Sequence, residues 1–318
     1  EQLKRSSEAH RGKEAKSTRE LRAASACDSP LNIISTAENK IMPSSIGFIG
    51  LGIMGEGMAS RLLSQGVAGT DEVPLVVWNR TSSKCADLKE RFPDKTIETK
   101  ASAKEVIESC DITFSMLSTP EASRVVFEAE AGTLAGVSEG KFIIDCATLA
   151  ESDMKRMNDQ VTSKGGQFLE APVSGSKGPA HSGMLIFLCA GSETIHKNDT
   201  VQSSLKAMGK ATHFFGTEVG YGTRAKLVVN SLMGTMMAAF GESLALAESV
   251  GLDGDKMLEV IGQGAIQSPM YALKGPKMLK KDHAPNFPLQ HSHKDMKLAV
   301  DMAKEAGVEY AVTECAEQ

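Results

Sequence analysis

The chain has 318 residues, 41% of them hydrophobic and 24% charged, with a formal net charge of -5. That length supports two domains with substantial cores, and the modest acidity argues against a surface built for nucleic acid while leaving room for a local basic pocket. No uninterrupted apolar run reaches the length of a membrane span, and the six cysteines form no C-x-x-C pair, so they read as free thiols of a reducing compartment, with Cys110, Cys146 and Cys189 buried in or beside apolar runs.

Residues 1–44 differ in character. Over residues 1–20, Lys4, Arg5, Arg11, Lys13, Lys16 and Arg19 mix with serine and glutamate, with almost no large apolar residue. Such a segment buries too little surface to fold alone. It reads as disordered, as a linker, or as the remnant of a targeting peptide, and Glu8, Glu14 and Glu20 speak against targeting. The chain opens on Glu1, so the true start is expected upstream.

An apolar strand over residues 46–50 runs into Gly50-Leu51-Gly52-Ile53-Met54-Gly55, and a helix follows over 56–65. This is the spacing of a dinucleotide-binding turn: Gly50 permits the tight turn, Gly52 lets the backbone approach a pyrophosphate, and Gly55 lets the helix pack on the strand. The helix N-terminus then offers unpaired N–H groups to phosphates. A second strand over 75–78 ends at Asn79-Arg80-Thr81, where this kind of fold meets the adenosine ribose. No carboxylate stands there to accept from a free 2′-hydroxyl; Arg80 can pair with a 2′-phosphate and Thr81 can donate, which favours NADP over NAD. The plainer alternative is a surface arginine. The spacing from Gly50 is long, and an insertion over 68–73 accounts for it. A helix over 84–91 and strands over 112–117, 142–145, 168–173 and 185–190 continue the alternation, which predicts a parallel sheet covered on both faces.

The loops after two of these strands carry Thr119 and Thr148, at the edge where ligands bind in an open parallel sheet. Each can bond a cofactor or a substrate carboxylate, or cap a helix. Pro172-Val173-Ser174-Gly175-Ser176-Lys177-Gly178 supplies donors that can cradle a carboxylate, or a plain loop. The texture changes near residue 220, with the junction expected within 210–222. A long helical pattern over 224–250, rich in Met and Ala, reads as deeply buried, and Gly234 and Gly241 permit close packing. Shorter helices are expected over 256–262 and 295–306. Lys226 and Asn230, four apart, share a face of the long helix. A lysine on a buried face is uncommon unless paired or used, and desolvation would bring its pKa toward proton transfer; the alternative is a lysine snorkelling from the helix start. His291 and His293 fall just before the last predicted helix, and their i, i+2 spacing is no helical ligand pair, so no metal site is expected.

As a set, Gly50-Leu51-Gly52-Ile53-Met54-Gly55, Asn79-Arg80-Thr81, Ala171-Pro172-Val173-Ser174-Gly175-Ser176, Gly222-x-x-x-Lys226-x-x-x-Asn230 and Lys294-Asp295 resemble the β-hydroxyacid dehydrogenases. The similarity is to the plant-type glyoxylate and succinic semialdehyde reductases, relatives of 3-hydroxyisobutyrate dehydrogenase, from about Ser45 to the end. It implies an α/β fold: a Rossmann-type N-terminal domain with a parallel-dominated sheet over 45–215, then an all-α, 6-phosphogluconate dehydrogenase-like C-terminal domain over 216–318 that is expected to continue past Gln318.

The resemblance implies NADPH-dependent reduction of glyoxylate or succinic semialdehyde to the hydroxy acid, with Lys226 as general acid. Thr148, Ser174, Gly175, Asn230, Phe287 and Asp295 then face the substrate. Gly50, Gly52, Ile53, Met54, Gly55, Asn79, Arg80, Thr81, Thr119, Thr148 and Lys294 hold NADP(H). It further implies a homo-oligomer, dimer or tetramer, that is soluble and intracellular (cytoplasm, mitochondrion or plastid), with a small aldehyde acid as partner and no nucleic acid or membrane. Two departures stand out. The family's Asp-x-Ser-Thr is here Asp145-Cys146-Ala147-Thr148, which removes a hydroxyl expected near the substrate, and its Gly-Asn-Gly is Gly220-Tyr221-Gly222, which puts Tyr221 at the cofactor contact. Two other functions remain open: a 3-hydroxyisobutyrate-type dehydrogenase with Lys226 as neutral base, and a catalytically inactive reductase-like interaction protein. The charged tail with Ala147 and Tyr221 favours the second, and Lys226 with Asn230 argues against it.

Overall fold

A computed structural model describes residues 45–318, so the expectations for residues 1–44 lie outside it. In chain order the first elements are β1 (Ile46–Ile49), α1 (Gly55–Ser64), β2 (Leu75–Trp78), α2 (Ser83–Arg91), β3 (Ile97–Thr99), α3 (Ala103–Ser109), β4 (Ile112–Ser115), α4 (Pro120–Glu128), α5 (Thr133–Gly136) and β5 (Phe142–Asp145). There follow α6 (Glu151–Ser163), β6 (Gln167–Glu170), β7 (Val173–Ser174), α7 (Lys177–Ser182), β8 (Leu185–Gly191), α8 (Glu193–Lys197), α9 (Asp199–Met208) and β9 (Gly209–Phe214). The rest is helical: α10 (Tyr221–Ser249), α11 (Gly254–Gln263), α12 (Pro269–Leu279), α13 (Leu289–Glu305) and α14 (Ala311–Glu317).

The strands form one sheet in the order β3-β2-β1-β4-β5-β6-β8-β7, with β9 on the other side of β8. Strands β1 to β6 run parallel; β8 runs antiparallel to β6 and to β7, and β9 parallel to β8. Such strands must be apolar on both faces, because helices cover both. β1 shows it: Ile46 and Phe48 join one apolar cluster with Leu62 and Phe114, and Ile49 joins the other with Ile143 and Phe168. The strand order reverses at β1, between β2 and β4, and in open α/β sheets the crevice at that point binds the ligand.

Three expectations need correction. The apolar run 168–173 is two strands, β6 and β7, because Pro172 has no N–H for a ladder; its carbonyl instead accepts from the Leu188 N–H at 3.0 Å. The last long helix begins at Leu289, just after Pro288, so His291 and His293 lie inside its first turns. The helix expected to be deeply buried, α10, is buried only along Gly222, Thr223, Lys226, Leu227, Asn230, Ser231, Phe240, Leu244 and Ala247. That face packs on β8, α13 and α14, whereas Val228, Leu232 and Leu246 are exposed. Among the described residues α10 is also the one helix long and apolar enough, by length and composition, to cross a membrane, which the sequence reading overlooked because Lys226 and Glu242 interrupt the run.

Candidate active site

The turn after β1 is built as glycine chemistry requires. Gly50 sits at φ +95°, and a side chain there would strike the Met116 carbonyl 2.5 Å away. At Gly55 a Cβ would overlap the Gly50 carbonyl oxygen, so helix α1 can approach the strand only as glycine. Gly52 differs: a Cβ would meet nothing within 4 Å. The open side of that turn leaves space for a phosphate, and the N-cap of α1, Met54, places no side chain on the first amides. The turn is tied to the end of β2, since Asn79 accepts from the Leu51 N–H at 2.8 Å and donates to the Thr81 carbonyl at 2.9 Å.

These parts border one cleft of about 360 Å³. Gly50, Gly52, Ile53, Met54, Gly55, Asn79, Arg80 and Thr81 line one end; Thr148, Phe287, Lys294 and Asp295 line it from the loop after β5 and from the start of α13. The residues therefore fit a nicotinamide dinucleotide: open backbone for the pyrophosphate, and a guanidinium where the ribose end would lie. Thr119 is spent otherwise, its Oγ1 accepting from the Ala122 N–H at 3.1 Å as the N-cap of α4, while its neighbour Ser118 lines the cleft.

Beyond the cleft a chain of polar groups runs into the protein. Lys226 is 5% exposed, and its Nζ donates to Asn230 Oδ1 at 2.8 Å. Asn230 Nδ2 donates to Asp295 Oδ2 at 2.6 Å, and Asp295 Oδ1 lies 2.8 Å from Lys294 Nζ. Lys294 also donates to the Thr148 carbonyl, closing the chain onto the loop after β5. Lys226 does not snorkel. Burial pushes its pKa down to about 8, the Asp295 carboxylate opposes that, and Lys294 adds to it. Ser174 and Gly175 do not border the 360 Å³ cleft; they sit in and after β7, which packs against α10.

Both departures from the family pattern fall away from the cleft. Ala147 is fully buried in the apolar cluster with Ile49 and Leu149, and its N–H donates to Asp145 Oδ1 at 3.0 Å. The Tyr221 ring lies under the Arg224 guanidinium, 4.8 Å from centroid to carbon, and Arg224 forms two 2.7 Å bonds with Glu151. Those bonds hold the Glu151 carboxyl down near pKa about 2.

Sequence reasoning gave no role to Asp145 or Glu170, and weighed His291 only as a metal ligand. Asp145 is buried at the end of β5, where Ser115 donates to it, and burial raises its pKa to about 6. Glu170 is buried at the end of β6, and His291 lines the cleft, its pKa lowered by burial and by Lys294. A signal existed for the two acids: each is a carboxylate ending an apolar run, which is uncommon without a dedicated partner.

Residues 45–219 match the NAD binding domain of 6-phosphogluconate dehydrogenase, and residues 220–318 match the NAD-binding domain of NADP-dependent 3-hydroxyisobutyrate dehydrogenase. The chain is 45% identical over 260 residues to glyoxylate/succinic semialdehyde reductase 2, chloroplastic, of Arabidopsis thaliana, spanning 82% of this chain and 69% of that protein. It is 41% identical over 273 residues to reductase 1 of the same plant, spanning 86% and 90%. It is 36% identical over 269 residues to the human cytokine-like nuclear factor N-PAC, spanning 84% of this chain and 46% of that protein. Among solved structures, a 3-hydroxyisobutyrate dehydrogenase from Salmonella typhimurium shares the fold, with a TM-score of 0.75 at 24% identity, covering 86% of this chain and 92% of that one.

Proposed function

The chain belongs to the glyoxylate/succinic semialdehyde reductases of the hydroxy-acid dehydrogenase family, and from that premise we propose that it reduces a small aldehyde acid, glyoxylate or succinic semialdehyde, with NADPH. It is an NAD(P)-dependent oxidoreductase acting between carbonyl and CH–OH.

The observation that carries the reading is Lys226, a buried lysine with a pKa lowered to about 8, joined through Asn230 to Asp295, which lines the cleft that begins at the glycine turn. When bound, the reduced nicotinamide supplies hydride chemistry. The chain supplies the rest. Below pH 8 Lys226 is an ammonium, and it donates a proton to the carbonyl oxygen as negative charge develops there. Asn230 Oδ1 accepts a hydrogen bond from one of its N–H groups and so aims the others. Thr148, Phe287 and Asp295 meet the substrate from the cleft, and Ser174 with the Gly175 N–H from outside it, on the β7 side that packs against α10; together they are assigned the substrate carboxylate, so that the carbonyl carbon and oxygen meet their partners together. Gly50 to Gly55, Asn79 and Lys294 hold the cofactor, with Thr119 acting through the turn it caps rather than by direct contact, and Arg80 and Thr81 select the 2′-phosphate. Arg80 at the cleft supports NADP over the NAD expected of an oxidative enzyme, and the polar chain around Lys226 supports a working site over an inactive scaffold.

The assembly we read is a homo-oligomer. Val228, Leu232 and Leu246 fall on one face of α10 and are exposed, as a subunit interface would have them. Sedimentation of the chain against a Leu232→Asp variant checks this, with dissociation expected in the variant. The relative named chloroplastic makes the plastid the first compartment to test.

Cofactor oxidation followed with glyoxylate and with succinic semialdehyde, each with NADPH and with NADH, tests the function. Turnover that depends on NADPH is expected. Equal turnover with NADH removes the role of Arg80, and no turnover with either cofactor removes the reductase reading.

A further inference from the structure

We propose that Glu170 is a positioning residue for this reaction: its carboxylate clamps the first turn of α10 to the end of β6, and so fixes Lys226 against the Ser174–Gly175 loop. The inference rests on the reductase reading above. Glu170 is fully buried, and among the described residues no cation pairs with it. It accepts four hydrogen bonds instead, from Gly220 N at 2.5 Å, Gly222 N at 2.9 Å, Thr223 N at 3.1 Å and Thr223 Oγ1 at 2.6 Å.

The first amides of a helix have no partner within it and carry its positive end. The N-cap of α10 is Gly220, which has no side chain to cap them. A carboxylate 50 residues earlier in the chain does so instead. This accounts for both glycines of Gly220-Tyr221-Gly222. Gly220 turns at φ +116°, and a Cβ there would lie 2.8 Å from Glu151 Cγ. At Gly222 a Cβ would press on the Leu188 carbonyl oxygen and lie 3.2 Å from Glu170 Cδ. Side chains at these positions would hold the amides away from the carboxylate.

The clamp lies between the two halves of the chemistry. Lys226 follows Thr223 by about one helical turn, roughly 4.5 Å along the axis. On the other side, Glu170 is followed directly by Ala171-Pro172-Val173-Ser174-Gly175. One carboxylate thus sets the distance between the ammonium and the groups assigned to the substrate carboxylate. Burial raises its pKa while the four donors lower it. A buried carboxylate of this kind contributes little to stability compared with an apolar residue, but it fixes a geometry.

The test uses the full chain with Glu170→Gln, Glu170→Asp and Thr223→Val, reading kcat per bound NADPH, KM for the aldehyde acid, and the pH profile of kcat. In Glu170→Gln an amide replaces two acceptor oxygens facing four donors. The expected result is a fall in kcat of about tenfold or more, since small misplacements of a reacting group are costly. NADPH affinity stays within about twofold and the alkaline limb of kcat moves, because the environment of Lys226 changes. Glu170→Asp recovers part of the loss. Thr223→Val removes one donor, keeps the shape, and lowers kcat by about two- to fivefold. If Glu170→Gln does not fold, Thr223→Val decides by the same readings. The inference is overturned if kcat per bound NADPH stays within about twofold of wild type and the pH limb is unmoved. Failure of the reductase reading shows separately, as a wild-type chain without turnover, and the inference falls with it.

Discussion

Lys226→Ala takes away the ammonium and leaves the rest of the polar chain standing, because Asn230 still donates to Asp295 and Asp295 still pairs with Lys294. General-acid catalysis contributes about 10²- to 10⁴-fold, or roughly 3–5 kcal/mol of the barrier. The fold gains and loses at once. The change removes a charge that burial disfavours, and it costs Asn230 Oδ1 one partner, about 1 kcal/mol. Turnover is therefore expected to collapse while NADPH affinity holds and the melting temperature moves by only about a few degrees. The pH profile adds a second reading. Burial lowers the pKa from 10.5 to about 8, and the ammonium is the working form in reduction. Wild-type turnover is thus full below pH 8 and lost as pH rises through it. About nine-tenths of the lysine is charged at pH 7 and about one-tenth at pH 9, a fall of about tenfold. Initial rates of NADPH oxidation across that range, for wild type and variant, measure both. The reasoning is refuted if Lys226→Ala keeps more than about a tenth of wild-type turnover, or shows the same alkaline fall.

Arg80→Ala is expected to raise the KM for NADPH by about tenfold or more, through loss of a charge-assisted phosphate pair, and to leave NADH unaffected; parallel titrations of the two cofactors check it. Gly52→Ala and Gly55→Ala should separate binding from folding. The first meets open space, so it should melt like wild type and bind NADPH more weakly; the second drives a Cβ into the Gly50 carbonyl oxygen and should lower stability by about 1–3 kcal/mol, both read by thermal melts and cofactor fluorescence. Asp295→Asn removes the carboxylate that raises the Lys226 pKa, so the alkaline limb of the kcat profile should move below pH 8.

Much of the frame was legible because it depends on local rules. The glycines after β1 follow largely from such rules: the turn needs a positive φ at Gly50, and Gly55 packs on the Gly50 carbonyl within the same six residues, while the closeness of Met116 to Gly50 adds a constraint from the neighbouring strand. The pairing of Lys226 with Asn230 follows from helix geometry, since residues four apart share a face. What the sequence did not disclose depends on meetings between distant segments. Glu170 read as part of a strand, and only the fold brings it to amides 50 residues later. Asp145 read as a strand end, although its partner Ser115 lies on the neighbouring strand. Ala147 looked like a loss at the substrate because the motif is linear, whereas the chain after β5 turns that methyl into the apolar cluster. The burial of α10 was overcalled for a related reason: periodicity identifies an apolar face but says nothing about what covers it.

The polar chain from Lys226 to Thr148 crosses two helices, so its geometry depends on how closely α10 and α13 approach. The 2.6 Å bond from Asn230 to Asp295 requires side chains of ordinary reach to meet across that gap. Gly234 lies one turn beyond Asn230, and Met296 follows Asp295 directly. A Cβ at Gly234 would overlap the Met296 sulfur, so α10 presents bare backbone where the α13 thioether comes down. Small residues at helix crossings allow interaxial distances at the short end of the usual 8–10 Å range. The same glycine that lowers helix propensity by about 1 kcal/mol thereby brings a carboxylate within reach of the amide that holds the lysine. Propensity is given up locally, and what is gained lies one turn away, in the electrostatics of Lys226. A buried carboxylate near a buried ammonium keeps the lysine pKa from falling further, so that it stays charged at neutral pH. The packing of an apolar methionine against a glycine is in this sense part of the acid–base chemistry, though neither residue carries a charge.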